Sequence, residues 1–343
     1  MDNELKSIFN DGELQLINNT VIKDRPHPLK RLFFPRSSVE RDSQVLTNTE
    51  RAFRHIYQVN PQWISNLKPR LLDVDDYSQS SSALSELRAF GYLLEAGIFV
   101  RQIGKSGSDF FLESGQEKAL VEVHSRQLNR SEAEGLEKFN CGLTQRNYQP
   151  REAQGWVVRE HRTIPFGQPR EHENITENAI SKLAAIKGKE HQLSQDNTSI
   201  LWLYFQDQIW DLLDEPNRVL PVRTWNGAFF SGEFWYAFYG WKGAPIFEGF
   251  RLDMSDFIGK VTMRHEGRFR NSTKLDAVIL SFSRSTIVLE NPYSEKPIKP
   301  WLWKKLVFLP WLNFEYSLTN WLVADLTQRI SLEQQKLVAL SIV

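Results

Sequence analysis

The clearest pattern of apolar and polar positions in the chain falls in residues 82–127. Leu84, Leu87, Phe90, Leu93 and Leu94 recur at helical spacing and make one apolar stripe, which predicts an amphipathic helix. Gly97 stands where a left-handed residue would close that helix. Glu86, one residue before Leu87, borders the stripe. A Gly-rich turn at Lys105–Ser108 then leads into a short strand, Asp109–Leu112, and Ser114–Glu117 has the composition of a hairpin turn. In the return strand, Ala119–His124, period two sets Ala119, Val121 and Val123 on one face and Glu122, His124 and Arg126 on the other. This order predicts Asp109 and Glu122 side by side at one end of a sheet, with Glu86 reaching in from the helix. Two carboxylates about 4 Å apart repel by roughly 4 kcal/mol at an effective dielectric near 20. Protonating one of them, or binding a hard divalent cation through their oxygens, relieves that repulsion.

The same reading extends in both directions. Residues 1–80 form a helical N-terminal region, with Thr47–Tyr57 helical, Phe53, Ile56 and Tyr57 on one face, and Trp63, Ile64 and Leu67 packing after Pro61. The serines from Ser78 to Ser82 read as a linker into a core of residues 81–210. Residues 128–173, with His161 and His172, are polar and aperiodic, the pattern of a functional loop or a mobile insertion. A helix follows at Asn174–Leu193, where Asn174 and Glu177 have capping-box spacing, and then Ser199–Phe205, a nearly all-apolar strand suited to a central position. Residues 211–343 read as a β-rich extension. Its aromatic run Phe234–Trp241 predicts a strand buried on both sides, and Leu275–Phe282 and Ser285–Leu289 predict two more strands. Leu322, Leu326, Ile330, Leu337 and Leu340 suggest a C-terminal amphipathic helix from about Leu318, which packs on the body or pairs two copies as a homodimer. The predicted fold class is α/β, a mixed central sheet flanked by helices.

Composition narrows the function classes. With 41% hydrophobic and 24% charged residues over 343 positions, the chain suits a globular protein of one core with additions, or two domains. No apolar run is long enough for a membrane span. Residues 1–15 are acidic and polar, unlike a secretory signal, so a cytoplasmic address is the expectation. A single cysteine, Cys141, rules out an intrachain disulfide and a Cys-based zinc site, and the seven histidines show no zinc spacing. Lys and Arg together number 42 against 42 for Asp and Glu, so any grip on nucleic acid must come from local clusters. The candidates are Arg264, Arg268 and Arg270, and then Lys304 and Lys305 beside Trp301 and Trp303. Basic and aromatic mixtures hold a phosphate backbone and stack on bases; they are equally compatible with ordinary surface. An N-terminal basic run, Lys23, Arg25, Lys30, Arg31 and Arg36, has the same two readings.

The succession of a helix bearing Glu86, then Gly107-Ser108-Asp109-Phe110, then Val121-Glu122-Val123-His124 ending an apolar strand resembles the PD-(D/E)xK nuclease superfamily, the restriction-endonuclease-like fold. The likeness implies a Mg²⁺- or Mn²⁺-dependent endonuclease acting on DNA, with RNA the second choice. Asp109 and Glu122 would be metal ligands helped by the Val123 carbonyl, and Glu86 a supporting carboxylate. The family's Lys position is His124 in this chain, so Arg126 and Lys187 are the candidate auxiliary cations. The alternative that the substitution leaves open is a catalytically inactive nuclease-like module that binds nucleic acid or a protein partner.

Overall fold

The computed structural model describes residues 4–22, 25–34, 40–102, 108–127, 175–186, 196–205, 216–219, 222–225, 228–244, 246, 248, 262–272, 274–282, 285–310 and 312–316. The chain divides into two compact units: Met1–Arg126, Lys187–Gln206 and Asn271–Leu326 form one, and Gln127–Ile186, Asp207–Arg270 and Thr327–Val343 the other. The N-terminal helices are α1 (Glu4–Ser7), α2 (Asp11–Asn19), α3 (Lys30–Phe33), α4 (Glu40–Val59), α5 (Pro61–Leu71) and α6 (Tyr77–Glu95). The strands are β1 (Val21–Ile22), β2 (Arg25–Pro26), β3 (Phe99–Gln102), β4 (Phe110–Ser114), β5 (Glu117–Arg126), β6 (Thr198–Phe205), β7 (Val222–Trp225), β8 (Ala228–Ser231), β9 (Ala277–Ser281), β10 (Thr286–Glu290) and β11 (Leu312–Tyr316).

In the first unit, local chemistry fixes the helix ends. Asn10 and Glu13 close a reciprocal capping box on α2. Asn60 caps α5, which has Pro61 in its first turn, and Asp76 caps α6. At the other end of α6, Gly97 takes φ +69°. The Gly97 N–H donates to the Leu94 carbonyl at 2.9 Å and the Ile98 N–H to the Leu93 carbonyl at 3.0 Å, a Schellman closure. Leu84, Leu87, Phe90 and Leu93 are buried as the stripe predicts, and Leu94 packs half-buried at its margin. The serines expected to be a linker are instead the first turns of α6. Ser80, Ser81 and Ser85 are buried, with the Ser80 hydroxyl donating to the Leu71 carbonyl at 2.8 Å and Ser81 meeting Ser125 at 2.8 Å. Short hydroxyl side chains allow close approach while their polarity hides the buried face from a hydropathy count. On α4, Phe53 and Ile56 are buried, whereas Tyr57 is 55% exposed and stacks on Phe53. Val59 is also exposed, so the last turn of α4 extends past its cover.

The sheet of this unit is seven-stranded and mixed, in the order β11-β10-β9-β6-β5-β4-β3. β3, β4 and β5 form an antiparallel meander; β6 lies parallel to both β5 and β9; β10 is antiparallel to β9 and parallel to β11. All eight residues of β6 are buried, as expected of a central strand. Ala119, Val121, Val123, Ile200 and Trp202 share one core with the stripe of α6. The expected boundary at residue 80 falls inside α6, and β9, β10 and β11 of the expected extension pair into the core's own sheet. A parallel β6–β9 contact joins segments too far apart for any local pattern to announce it.

The second unit holds a helix at Ile175–Ala184, the antiparallel pair β7–β8 and a helix at Glu233–Tyr239. That last helix occupies the run expected to be a strand. Every residue from Glu233 to Tyr239 is buried, so no polar position marks a helical period, and a short apolar run has no period to read. Gly232 and Gly240 flank it as helix stops. Glu177 is buried and accepts from the Ser181 hydroxyl at 2.8 Å. Its expected cap Asn174, the rest of that helix beyond residue 186, the loop with His161 and His172, and the C-terminal helix from Leu318 lie outside the described residues. No helix among the described residues is long and apolar enough to cross a membrane.

Candidate carboxylate site

The β4–β5 register pairs Phe110 with Val121, so the next position outward opposes Asp109 to Glu122. The hairpin that enforces this turns on Gly115, at φ +62°. Asp109 ends just before β4, and its Oδ2 accepts the Val123 N–H at 2.8 Å. A strand residue sends its N–H and C=O to the same edge, so the Val123 carbonyl also faces the Asp109 side. The expected pairing of Asp109 with Glu122 is thus set by backbone geometry.

Glu122 is fully buried, and Leu120 on the same face is 6% exposed. The strand is therefore covered on both faces, not half exposed as its alternation suggests. Ala119, Val121 and Val123 face the α6 side, so Glu122, with half-buried His124 and Arg126, points to the opposite face.

Glu86 stays on the helix side, and its carboxylate is held by Arg70 from the last turn of α5. The Arg70 terminal nitrogens donate to Glu86 Oε2 and Oε1 at 2.7 and 2.6 Å. Those hydrogen bonds hold the guanidinium pKa above its already high ordinary value, and the charges of Glu86 and Asp109 add to the effect. Arg70 thus pairs the Glu86 carboxylate, which the sequence pattern had reaching toward Asp109 and Glu122. Arg70 carries no motif signal: an arginine in a last helical turn reads as a dipole partner.

Among the described residues, no three His, Cys, Asp or Glu side chains gather into a metal-binding group. Asp109 and Glu122 are opposed by the hairpin register and carry the oxygens that the sequence pattern offers to a metal. Such a donor set suits a hard ion that completes its shell with carbonyl oxygen and water.

Of the other expected site residues, Lys187 lies outside the described residues. Arg264 is exposed, Arg268 is 8% exposed, and Arg270 donates from Nε to the Tyr239 carbonyl at 3.0 Å while lying over Trp241. Arg268 is thus buried, and Arg270 engages the segment of Tyr239 and Trp241. Lys304 and Lys305 are exposed at the end of the helix Pro300–Leu306, whose Trp301 and Trp303 pack against the core. Comparison with protein-family models, curated proteins and solved structures gives no match.

Proposed function

We propose that the chain is a nuclease-like α/β protein of the PD-(D/E)xK kind, in which Asp109 and Glu122 hold Mg²⁺ or Mn²⁺ for hydrolysis of phosphodiester bonds in DNA. The observation that carries this reading is the β4–β5 register, which opposes the two carboxylates and puts the Asp109 oxygen on the Val123 N–H. The order of elements supports it: a helix bearing Glu86, an antiparallel hairpin whose second strand carries Glu122, a helix, then a buried strand parallel to that second strand. A divalent ion at such a site supplies positive charge to the scissile phosphate and makes the attacking water more acidic.

The chain's own residues would do the rest. His124, half-buried on the Glu122 face, is able when neutral to take the proton of the attacking water. Arg126, on the Glu122 face, would be the cation that meets the phosphate, and exposed Lys304 and Lys305 of the same unit would meet the backbone beyond it.

Labelled single- and double-stranded DNA and RNA, incubated with the protein in Mg²⁺, Mn²⁺ or EDTA, test this reading. Metal-dependent cleavage of DNA is expected. It should be lost in Asp109→Asn, largely lost in His124→Ala, and kept in His124→Lys. If neither the wild-type chain nor His124→Lys cuts any substrate under either metal, catalysis is refuted. One observation favours a second reading, a non-catalytic module that binds nucleic acid or a protein partner: Glu86 is committed to Arg70. Retention of labelled DNA by both chains without cleavage would select it.

A further inference from the structure

The sheet face that carries Glu122 continues past the carboxylates toward the β4–β5 turn. Directly paired residues on neighbouring strands share a face, and Val100, Leu112 and Ala119 lie in the core beside α6. The alternate residues of the β3–β4–β5 meander therefore stand on the opposite face, in two rows. One row is Phe99, Glu113 and Lys118; the other is Arg101, Phe111 and Leu120. Asp109 and Glu122 occupy the row after that, roughly 7 Å further along the strands. The cover thins in the same order. Glu122 and Leu120 are buried, Phe111 is half-buried, and Arg101 and Lys118 are exposed. Phe99, on the edge strand, is 63% exposed. Arg101 lies 5.3 Å from the centroid of the Phe111 ring and Lys118 5.5 Å, so one ring positions both cations. Arg101 also donates from Nη2 to Glu113 at 2.7 Å. That pair sits at the surface, where solvent and salt weaken it, so Arg101 can exchange Glu113 for a phosphate. Lys118 makes its ring contact and no ion pair among the described residues.

Exposed aromatic rings among ordered cations suit a strand of nucleic acid, whose bases stack on the rings while its phosphates meet the charges. We propose that Phe99, Arg101, Phe111 and Lys118 form a docking platform for single-stranded DNA, which leads the strand to Asp109 and Glu122. Duplex fits this platform less well, because a base must leave its stack before it can lay its face on Phe99. Continuity with the carboxylate row favours nucleic acid over a protein partner. The inference rests on the phosphodiesterase reading of that row and adds the form of the substrate.

Fluorescence anisotropy of fluorescein-labelled oligothymidylate, alone and annealed to oligoadenylate, tests the proposal on the full chain in EDTA, where no cleavage intervenes. The single strand should bind about tenfold more tightly than the duplex, and Phe99→Ala should weaken its binding about tenfold, the effect of one lost base stack. Lys118→Gln should flatten the fall of log affinity with log salt by about 0.7, the share of one phosphate contact on a single strand. Both side chains are exposed, so both variants should melt at the wild-type Tm. Equal affinity for single strand and duplex overturns the platform, and so do wild-type affinity in Phe99→Ala and a wild-type salt slope in Lys118→Gln. Failure of the wild-type chain to bind the single strand also overturns it and leaves the patch to a protein partner. Binding that depends on Phe99 and Lys118, without cleavage in Mg²⁺ or Mn²⁺, refutes the phosphodiesterase reading alone. Cleavage with binding indifferent to both substitutions refutes the platform alone.

Discussion

His27 shows how much one buried side chain can weigh. It is 1% exposed, its Nδ1 accepts the Leu29 N–H at 3.2 Å, and its Nε2 lies 3.5 Å from the Ser80 hydroxyl. Burial pushes its pKa down to about 4, against the opposing pull of the Asp73 carbonyl and carboxylate. The unfolded chain, at an ordinary value near 6.5, therefore binds this proton more readily, and stability falls as pH drops from 6.5 toward 4. Denaturant unfolding at pH 7 and pH 4 should differ by roughly 3 kcal/mol from this residue, and His27→Gln should remove that part of the slope. An unchanged slope in the variant would put the acid sensitivity elsewhere. Arg70 and Glu86 make a second residue-scale case. Their side chains are 41% and 14% exposed, so solvent screens the pair, and a cycle of Arg70→Met, Glu86→Gln and the double variant should give a coupling of about 1 kcal/mol. Additive single effects would mean the bidentate contact contributes nothing. At this scale Asp109 and Glu122 were legible because period-two alternation and a hairpin turn fix which residues oppose. Arg70 was not, because contact between α5 and α6 is tertiary and leaves no mark in spacing.

Among the elements, α6 was legible from its leucines and its Gly97 stop, yet it begins in serines that hydropathy assigns to a linker. Its packing against α4 is close: a Cβ on Gly91 would lie 2.4 Å from the Ala52 backbone. Gly91→Ala must push the two helices apart and should cost on the order of 1–3 kcal/mol in denaturant unfolding. A cost below about 0.5 kcal/mol would show the crossing to be loose. Gly97→Ala should cost about 1 kcal/mol through its left-handed φ alone. The helix Glu233–Tyr239 marks the opposite limit. Burial on all sides erases the polar half of the pattern, so only the flanking glycines distinguished helix from strand.

For the whole molecule, the α/β class and the central place of β6 followed from local pattern. The seven-stranded order did not, since β9, β10 and β11 join the sheet across long separations in the chain. The account's central claim rests on one end of that sheet, where the register brings Asp109 opposite Glu122. The most direct test is thermal unfolding of wild type and Asp109→Asn over a Mn²⁺ titration. Binding at this pair should raise the wild-type Tm to a plateau, with stabilisation of about 2.7 kcal/mol at a hundredfold excess over Kd, and Asp109→Asn should show no rise. An identical rise in both chains, or none in wild type, would contradict the claim.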